Sequence, residues 1–211
     1  MLLPPAPRGL LIAGMHGEEP ETVLLARRLV ERVSAHEAAV AVVLCANPDG
    51  TAQGTRQNAA GVDINRNFPA ASWRAGTSYS FPPGIDPGLR ELANRTNASS
   101  TGSAPLSEPE SAGLVALAER LQPAWVVDLH APLDLVLTSP GAPAGIVDGL
   151  ASAAGLSVEG ELAAPTPGSM RDWLIERGVA SIVYEVEHAG LPDLCRRHLP
   201  GLEQLVRGEL A

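Results

Sequence analysis

Three apolar runs in this chain each end abruptly on a residue that can bind a metal or move a proton. Leu10-Leu-Ile-Ala-Gly-Met15 stops at His16-Gly-Glu-Glu19, Ala124-Trp-Val-Val-Asp-Leu129 at His130, and Ser181-Ile-Val-Tyr184 at Glu185. Runs of this length and content read as buried strands. In open α/β sheets the crevice beyond the carboxyl ends of the strands is where ligands bind. A His-x-x-Glu pair joined by a distant His supplies two imidazoles and a carboxylate, a donor set that leaves a catalytic zinc one open position.

Between these runs the chain alternates strand and helix signals, which predicts a single α/β domain over 1–211 with a mixed, largely parallel sheet flanked by helices. Helical spacing follows the first strand from Glu21 to Val33, and a second strand is expected over Ala39–Cys45, closed by the turn sequence Asn47-Pro-Asp-Gly50. Cys45 reads as a small buried apolar residue. Thr51 to about Leu106 lacks periodicity. Ser107-Glu-Pro-Glu110 matches a capping box opening a helix to Leu121. Further on, a strand is expected over Leu133–Thr138. Helices are expected over Ile146–Ala154, Ser169–Arg177 and about Asp193–Glu209.

Composition narrows the chemistry. A formal charge of −9 argues against nucleic acid, whose phosphates are met by Lys and Arg. All the basic residues are Arg, which excludes a phosphate-loop lysine, a Schiff-base lysine and a Ser-x-x-Lys nucleophile. Two cysteines make no disulfide scaffold in 211 residues. With neither a leader pattern nor an apolar run of membrane length, the sequence reads as cytoplasmic, without a membrane partner. On that reading the sequons at Asn94 and Asn97 carry no meaning.

Gly17 reads as leaving space for a ligand beside His16. His36 lacks the second His of a zincin helix, and His198, beside Arg196 and Arg197, reads as a surface residue. His188 competes with His130 as third ligand. Glu187, on the same face of an alternating strand as Glu185, competes with it as base. Arg56 and the cluster Asp63-Ile-Asn-Arg-Asn67 add polar groups that solvent exposure alone does not require. Arg is the side chain best suited to hold a carboxylate by two bonds.

Taken together, six stretches resemble the zinc carboxypeptidase superfamily in its murein peptide amidase branch. They are His16-Gly-Glu-Glu19, Asn47-Pro-Asp-Gly50, Gly61-Val-Asp-Ile-Asn-Arg-Asn-Phe-Pro69, Ser107-Glu-Pro-Glu110, Gln122-Pro-Ala-Trp-Val-Val127 with His130, and Thr166-Pro-Gly-Ser169. They span nearly the whole chain in the family's order. The resemblance implies one zinc ion held by His16, Glu19 and His130, with Glu185 as general base. Arg56 would polarise the scissile carbonyl, Asn65 and Arg66 would hold a substrate carboxylate, and Asp63 would orient a zinc-bound His. It implies a small peptide substrate with a free carboxylate, cut at the γ-D-glutamyl–diaminopimelate bond during cell-wall recycling. A general carboxypeptidase, an aspartoacylase-like N-acyl amino acid deacylase and a non-catalytic zinc or peptide binder are the alternatives. The chain departs from the family in three places. It begins almost at the first motif, it lacks the branch's prolines after Glu185, and Tyr79 and Tyr184 are its only tyrosines.

Overall fold

The computed structural model describes residues 1–76, 99–160 and 166–210. Tyr79, Asn94 and Asn97, with much of the aperiodic stretch, lie outside them. Six strands form one sheet: β1 (Gly9–Ile12), β2 (Val40–Val43), β3 (Trp125–His130), β4 (Leu135–Thr138), β5 (Ser157–Glu159) and β6 (Ala180–Glu185), in the order β2-β1-β3-β6-β4-β5. All neighbouring pairs are parallel except β4 with β6. The sheet is therefore mixed and largely parallel, as the alternation of signals predicts. All four residues of β1 and all six of β3 are buried, because both faces of the central strands are covered.

On one face lie α1 (Pro20–Val30), α4 (Ala144–Ala154) and α6 (Leu191–Arg207), packed on Leu11, Val127, Ile182 and Tyr184. On the other lie α3 (Pro109–Leu121), α5 (Met170–Glu176) and a short 3-10 turn at Ile64–Arg66, packed on Leu10, Ile12 and Val126. Strand alternation then decides where the polar residues go. Val126, Asp128 and His130 share one face of β3, and Ser181, Val183 and Glu185 share one face of β6, opposite Tyr184. The chain runs from β1 outward to β2 and returns to lay β3 on the other side of β1. The carboxyl ends of β1 and β3 thus flank a topological switch point, where a crevice forms.

Several local expectations change. Asn47-Pro-Asp-Gly50 opens a helix, α2 (Pro48–Gln53), rather than closing a turn. Pro48 suits the first helical position, and the Asn47 side chain accepts the Gly50 N–H at 2.9 Å. The second strand is shorter than expected, and Cys45 lies beyond it, half-buried, with Sγ 3.2 Å from Thr51 Oγ1. No capping box forms at α3: Glu108 is the N-cap without a side-chain cap bond, and its backbone N–H is taken by Asn67 Oδ1 at 3.1 Å. Gly17 does not leave room for a ligand. A Cβ there would lie 1.9 Å from the Gly50 carbonyl carbon, so the space is filled by the backbone of α2. His198 is fully buried, not a surface residue. It sits one turn from Leu194 and one from Leu202 on the apolar face of α6.

Candidate active site

His16 follows β1, and Glu19 stands at the N-cap of α1, joined to it by a turn in which the Glu19 N–H bonds the His16 carbonyl at 3.2 Å. His130 ends β3. Ligand atoms of these three buried residues lie within 4.8 Å of one another, and no other such group of His, Cys, Asp and Glu occurs among the described residues. Nδ1 of His16 is 2.8 Å from one oxygen of Glu19, and Nδ1 of His130 is 3.1 Å from the other.

The far sides of the rings explain why that geometry suits a cation. Nε2 of His130 is 2.8 Å from Asp128 Oδ2, so it carries a proton and donates it. Nε2 of His16 is 3.3 Å from Asp63 Oδ1. The Arg56 guanidinium also stands 3.3 Å from His16 Nδ1. Both Nδ1 atoms converge on the Glu19 carboxylate, and once deprotonated each offers a lone pair toward the same point. Two imidazoles and a carboxylate are a fitting donor set for zinc. Burial by itself raises the pKa of Glu19, but the two imidazoles outweigh it and hold the carboxyl well below its usual range. Burial likewise works against a charged His130, yet Asp128 and Glu19 raise its pKa well above the ordinary imidazole value. Buried and held together in this way, the two imidazoles and the carboxylate are a group into which a metal ion fits.

Asp128 was not foreseen as a site residue. Its signal was its place two residues before His130 on an alternating strand, which puts both on one face. Carboxylates in this position fix the tautomer of a metal-binding His and raise its basicity.

Glu185 pairs in register with His130 across β3 and β6, and its Oε2 accepts the Leu133 N–H at 3.3 Å. Burial pushes its pKa up to about 7; the His130 charge opposes the rise and Glu19 adds to it. Glu187 lies past the end of the strand and turns away. It meets Nε2 of His198 at 2.7 Å and Arg197 at 3.0 Å. His188 is exposed and bonds Glu21 at 2.9 Å, apart from the cluster.

Arg56 is fixed by Asp63, with Nε to Oδ2 at 2.8 Å. Asp63 also accepts the Asn65 N–H at 3.0 Å and so shapes the turn that carries Asn65 and Arg66. Oδ1 of Asn65 accepts the Met170 N–H at 2.9 Å, tying the turn to the start of α5. Burial alone would raise the Asp63 pKa, but Arg56 first and His16 next drive it well below the usual range. Asn67 has a structural part: it bonds the carbonyls of Thr101 and Ala104 and the hydroxyl of Ser111. His16, Glu19, His130, Glu185, Arg56, Asn65 and Arg66 all line one open cleft, and Asp63 lies behind them. Thr166, Ser169 and Arg171 complete one wall.

Comparison with known proteins decides the family. The murein peptide amidase A of Escherichia coli K12 is 35% identical over 204 residues, a match covering 94% of this chain and 79% of the relative. The chain belongs to the murein peptide amidase family. The crystal structure of the murein-tripeptide amidase of Escherichia coli O157 superposes with a TM-score of 0.82 at 34% identity, covering 97% of this chain and 84% of that one. The fold extends to the carboxypeptidase A of Helicoverpa armigera, with a TM-score of 0.65 at 19% identity over 97% of this chain and 60% of that one. Residues 5–105 match the succinylglutamate desuccinylase/aspartoacylase catalytic domain. The protein is a hydrolase of the metallopeptidase and amidase type, and no helix among the described residues is long and apolar enough to cross a membrane.

Proposed function

We propose that this family member is a zinc-dependent amidase that cleaves the γ-D-glutamyl–diaminopimelate bond of murein tripeptide, acting as one catalytic domain in a bacterial cytoplasm during cell-wall recycling. The observation that carries the reading is the pair of imidazoles aimed at opposite oxygens of Glu19, with Glu185 beside them in register. His16, Glu19 and His130 hold one zinc ion, and Asp128 and Asp63 stand behind the two rings. When bound there, zinc supplies Lewis acidity, which acidifies water and polarises a carbonyl.

The chain's own groups do the rest. Glu185 is the general base: with Oε2 engaged by Leu133, its Oε1 takes the proton of the attacking water and passes it to the leaving amine. A pKa near neutrality suits both transfers. Arg56, held rigid by Asp63, places its charge where the substrate oxygen becomes negative, and such fixed charges are strongest in a buried site. Asn65 and Arg66 hold the free carboxylate of the leaving residue and so set the amide over the base.

An N-acyl amino acid deacylase is the second reading, favoured by the match over residues 5–105. Incubating zinc-loaded protein with murein tripeptide, L-dipeptides and acyl amino acids, with products identified by mass, separates the two. Release of diaminopimelate from the tripeptide supports the amidase; release of an acyl group alone replaces it with the deacylase.

A further inference from the structure

The cleft does not end at Glu185. Val183 stands two residues back on the same face of β6, about 7 Å along the strand. Its partner in register on β4 is Leu137, and both side chains line the cleft. Beyond this apolar strip comes Arg171 of α5, which also lines the cleft. Its Nη2 donates to the carbonyls of Thr138 and Gly160 at 3.2 and 3.1 Å, so the guanidinium is anchored beside Leu137. Its Nε is buried with no hydrogen-bond partner.

Arg56, by contrast, is matched by Asp63 at 2.8 Å. Among the described residues no carboxylate pairs with Arg171. Arg171 is half-buried, anchored through Nη2 and matched by none of these carboxylates, so its charge is offered to the cleft it lines. The order along this wall is thus a base carboxylate, an apolar strip and a fixed cation.

We propose that Arg171 determines specificity by binding the anionic end of an aliphatic side chain on the leaving residue. Val183 and Leu137 cover the methylene stem of that side chain, and Arg171 reads the carboxylate at its tip. The residue whose α-carboxylate Asn65 and Arg66 hold would then carry a second carboxylate. The orientation of the ligand rests on the amidase reading above; the charge preference rests on the wall itself.

The test uses γ-D-glutamyl amides of meso-diaminopimelate and of L-lysine, leaving residues that differ only in the distal carboxylate. A parallel pair carries an N-acetyl group in place of γ-D-glutamyl. The zinc-loaded enzyme is expected to favour the diaminopimelate amide by roughly 10- to 100-fold in kcat/KM, the range for a hydrogen bond to a charged group. In R171M that preference collapses toward unity. R171Q, which can still donate to Thr138 and Gly160, loses it as well, which separates the lost charge from a disturbed fold. Equal rates on both amides in the wild type, or an unchanged ratio in both variants, overturns the proposal. If only the N-acetyl pair is turned over, the amidase reading fails, and the same ratio in that pair still decides the role of Arg171. Calorimetric titration with free meso-diaminopimelate and free lysine gives a readout without turnover. Tighter binding of diaminopimelate that is lost in R171M supports the proposal, and equal binding in the wild type overturns it.

Discussion

Asp128 and His130 sit two residues apart on one face of β3, with the carboxylate 2.8 Å from Nε2 of the imidazole. Strand alternation creates this pair without any loop, so the ring is oriented from within a fully buried inner strand of the sheet. Both residues are buried, so water does not compete for the bond. Replacing Asp128 by Asn weakens the acceptor and replacing it by Ala removes it. Either change is expected to lower zinc affinity by about 10- to 100-fold, the usual cost of losing such a partner. Competition with a chromogenic chelator measures this. An unchanged affinity in Asp128→Ala would show that the ring is oriented by packing alone.

The ligand assignment has its own control. His16→Ala and His130→Ala are each expected to lose stoichiometric zinc, while His188→Ala, which breaks an exposed contact with Glu21, retains it. Metal content after dialysis decides. Retention in His130→Ala with loss in His188→Ala reverses the assignment.

Glu185 links the pH dependence of rate and stability. In its proposed role as base it must be ionised, so kcat/KM is expected to fall as pH drops through its folded pKa. A bound dication favours the carboxylate, which places the acid limb of the zinc enzyme below the value of about 7 set by burial in the metal-free site. Glu185→Gln is expected to abolish the limb and slow turnover by on the order of 10²- to 10⁴-fold while keeping zinc. Near-normal rates in that variant, with collapse in Glu187→Gln, would make Glu187 the base. In the metal-free protein the linkage has the opposite consequence. A carboxyl whose folded pKa is raised above 4.5 loses stability as pH rises toward about 7. Glu185→Gln is therefore expected to raise the melting temperature of the apoprotein at pH 8.

Much of this site was legible because strands and side-chain chemistry coincide at β1, β3 and β6. β3 and β6 end on His130 and Glu185, where their apolar runs break, and alternation gives each a face; β1 ends at Ile12, and His16 and Glu19 follow in the turn that leads into α1. What escaped notice depended on tertiary partners. Asn47-Pro-Asp-Gly50 has the composition of a turn, but Asn47 caps a helix whose backbone fills the space beside Gly17. The Ser107–Glu110 pattern could not show that Asn67, 41 residues earlier, occupies the Glu108 N–H. For His198 the adjacent arginines suggested solvent, although its spacing from Leu194 and Leu202 carried the correct signal. Glu185 and Glu187 share a phase in the sequence, and only the end of β6 separates them.

His198 ties the catalytic strand to α6. It meets the Tyr184 hydroxyl at Nδ1 and Glu187 at Nε2, both at 2.7 Å. His198→Ala leaves a buried hydroxyl without its partner, at a cost of about 1–3 kcal/mol, and opens a cavity that adds to the loss. Urea denaturation should show the destabilisation, and metal content should be kept. Burial lowers the His198 pKa below 6.5 despite Glu187, so the unfolded chain takes up the proton first as pH falls. Glu187 is held down to about 2: burial would raise it, but backbone, His198 and Arg197 hydrogen bonds prevail. Its contribution is present above 4.5 and lost as pH falls toward about 2. Both groups make the native protein acid-sensitive. The variant's stability should accordingly fall less steeply below pH 6.5 than that of the wild type; an equally steep fall would place the acid-sensitive groups elsewhere.

Arg66 offers the sharpest separation of recognition from chemistry. It belongs to the turn shaped by Asp63, and its Nη1 donates to the Asn65 carbonyl at 2.7 Å, so the head group is held in place before any substrate arrives. Lysine keeps the charge but has no planar fork, and it cannot hold both the Asn65 carbonyl and a carboxylate in the same geometry. Losing a charge-assisted pair in a desolvated pocket costs roughly 2–5 kcal/mol. Arg66→Lys is therefore expected to lower kcat/KM on the order of 30- to several-thousand-fold, since ~1.4 kcal/mol is a factor of ten. The loss should shrink sharply when the substrate's α-carboxylate is amidated, because that substrate never engages the fork. Arg56→Lys is the control. A charge that serves the developing oxyanion acts on both substrates, so its loss should damage both alike. Equal damage to both substrates in Arg66→Lys would make Arg66 a support of the Asp63–Asn65 turn and leave carboxylate recognition to another group.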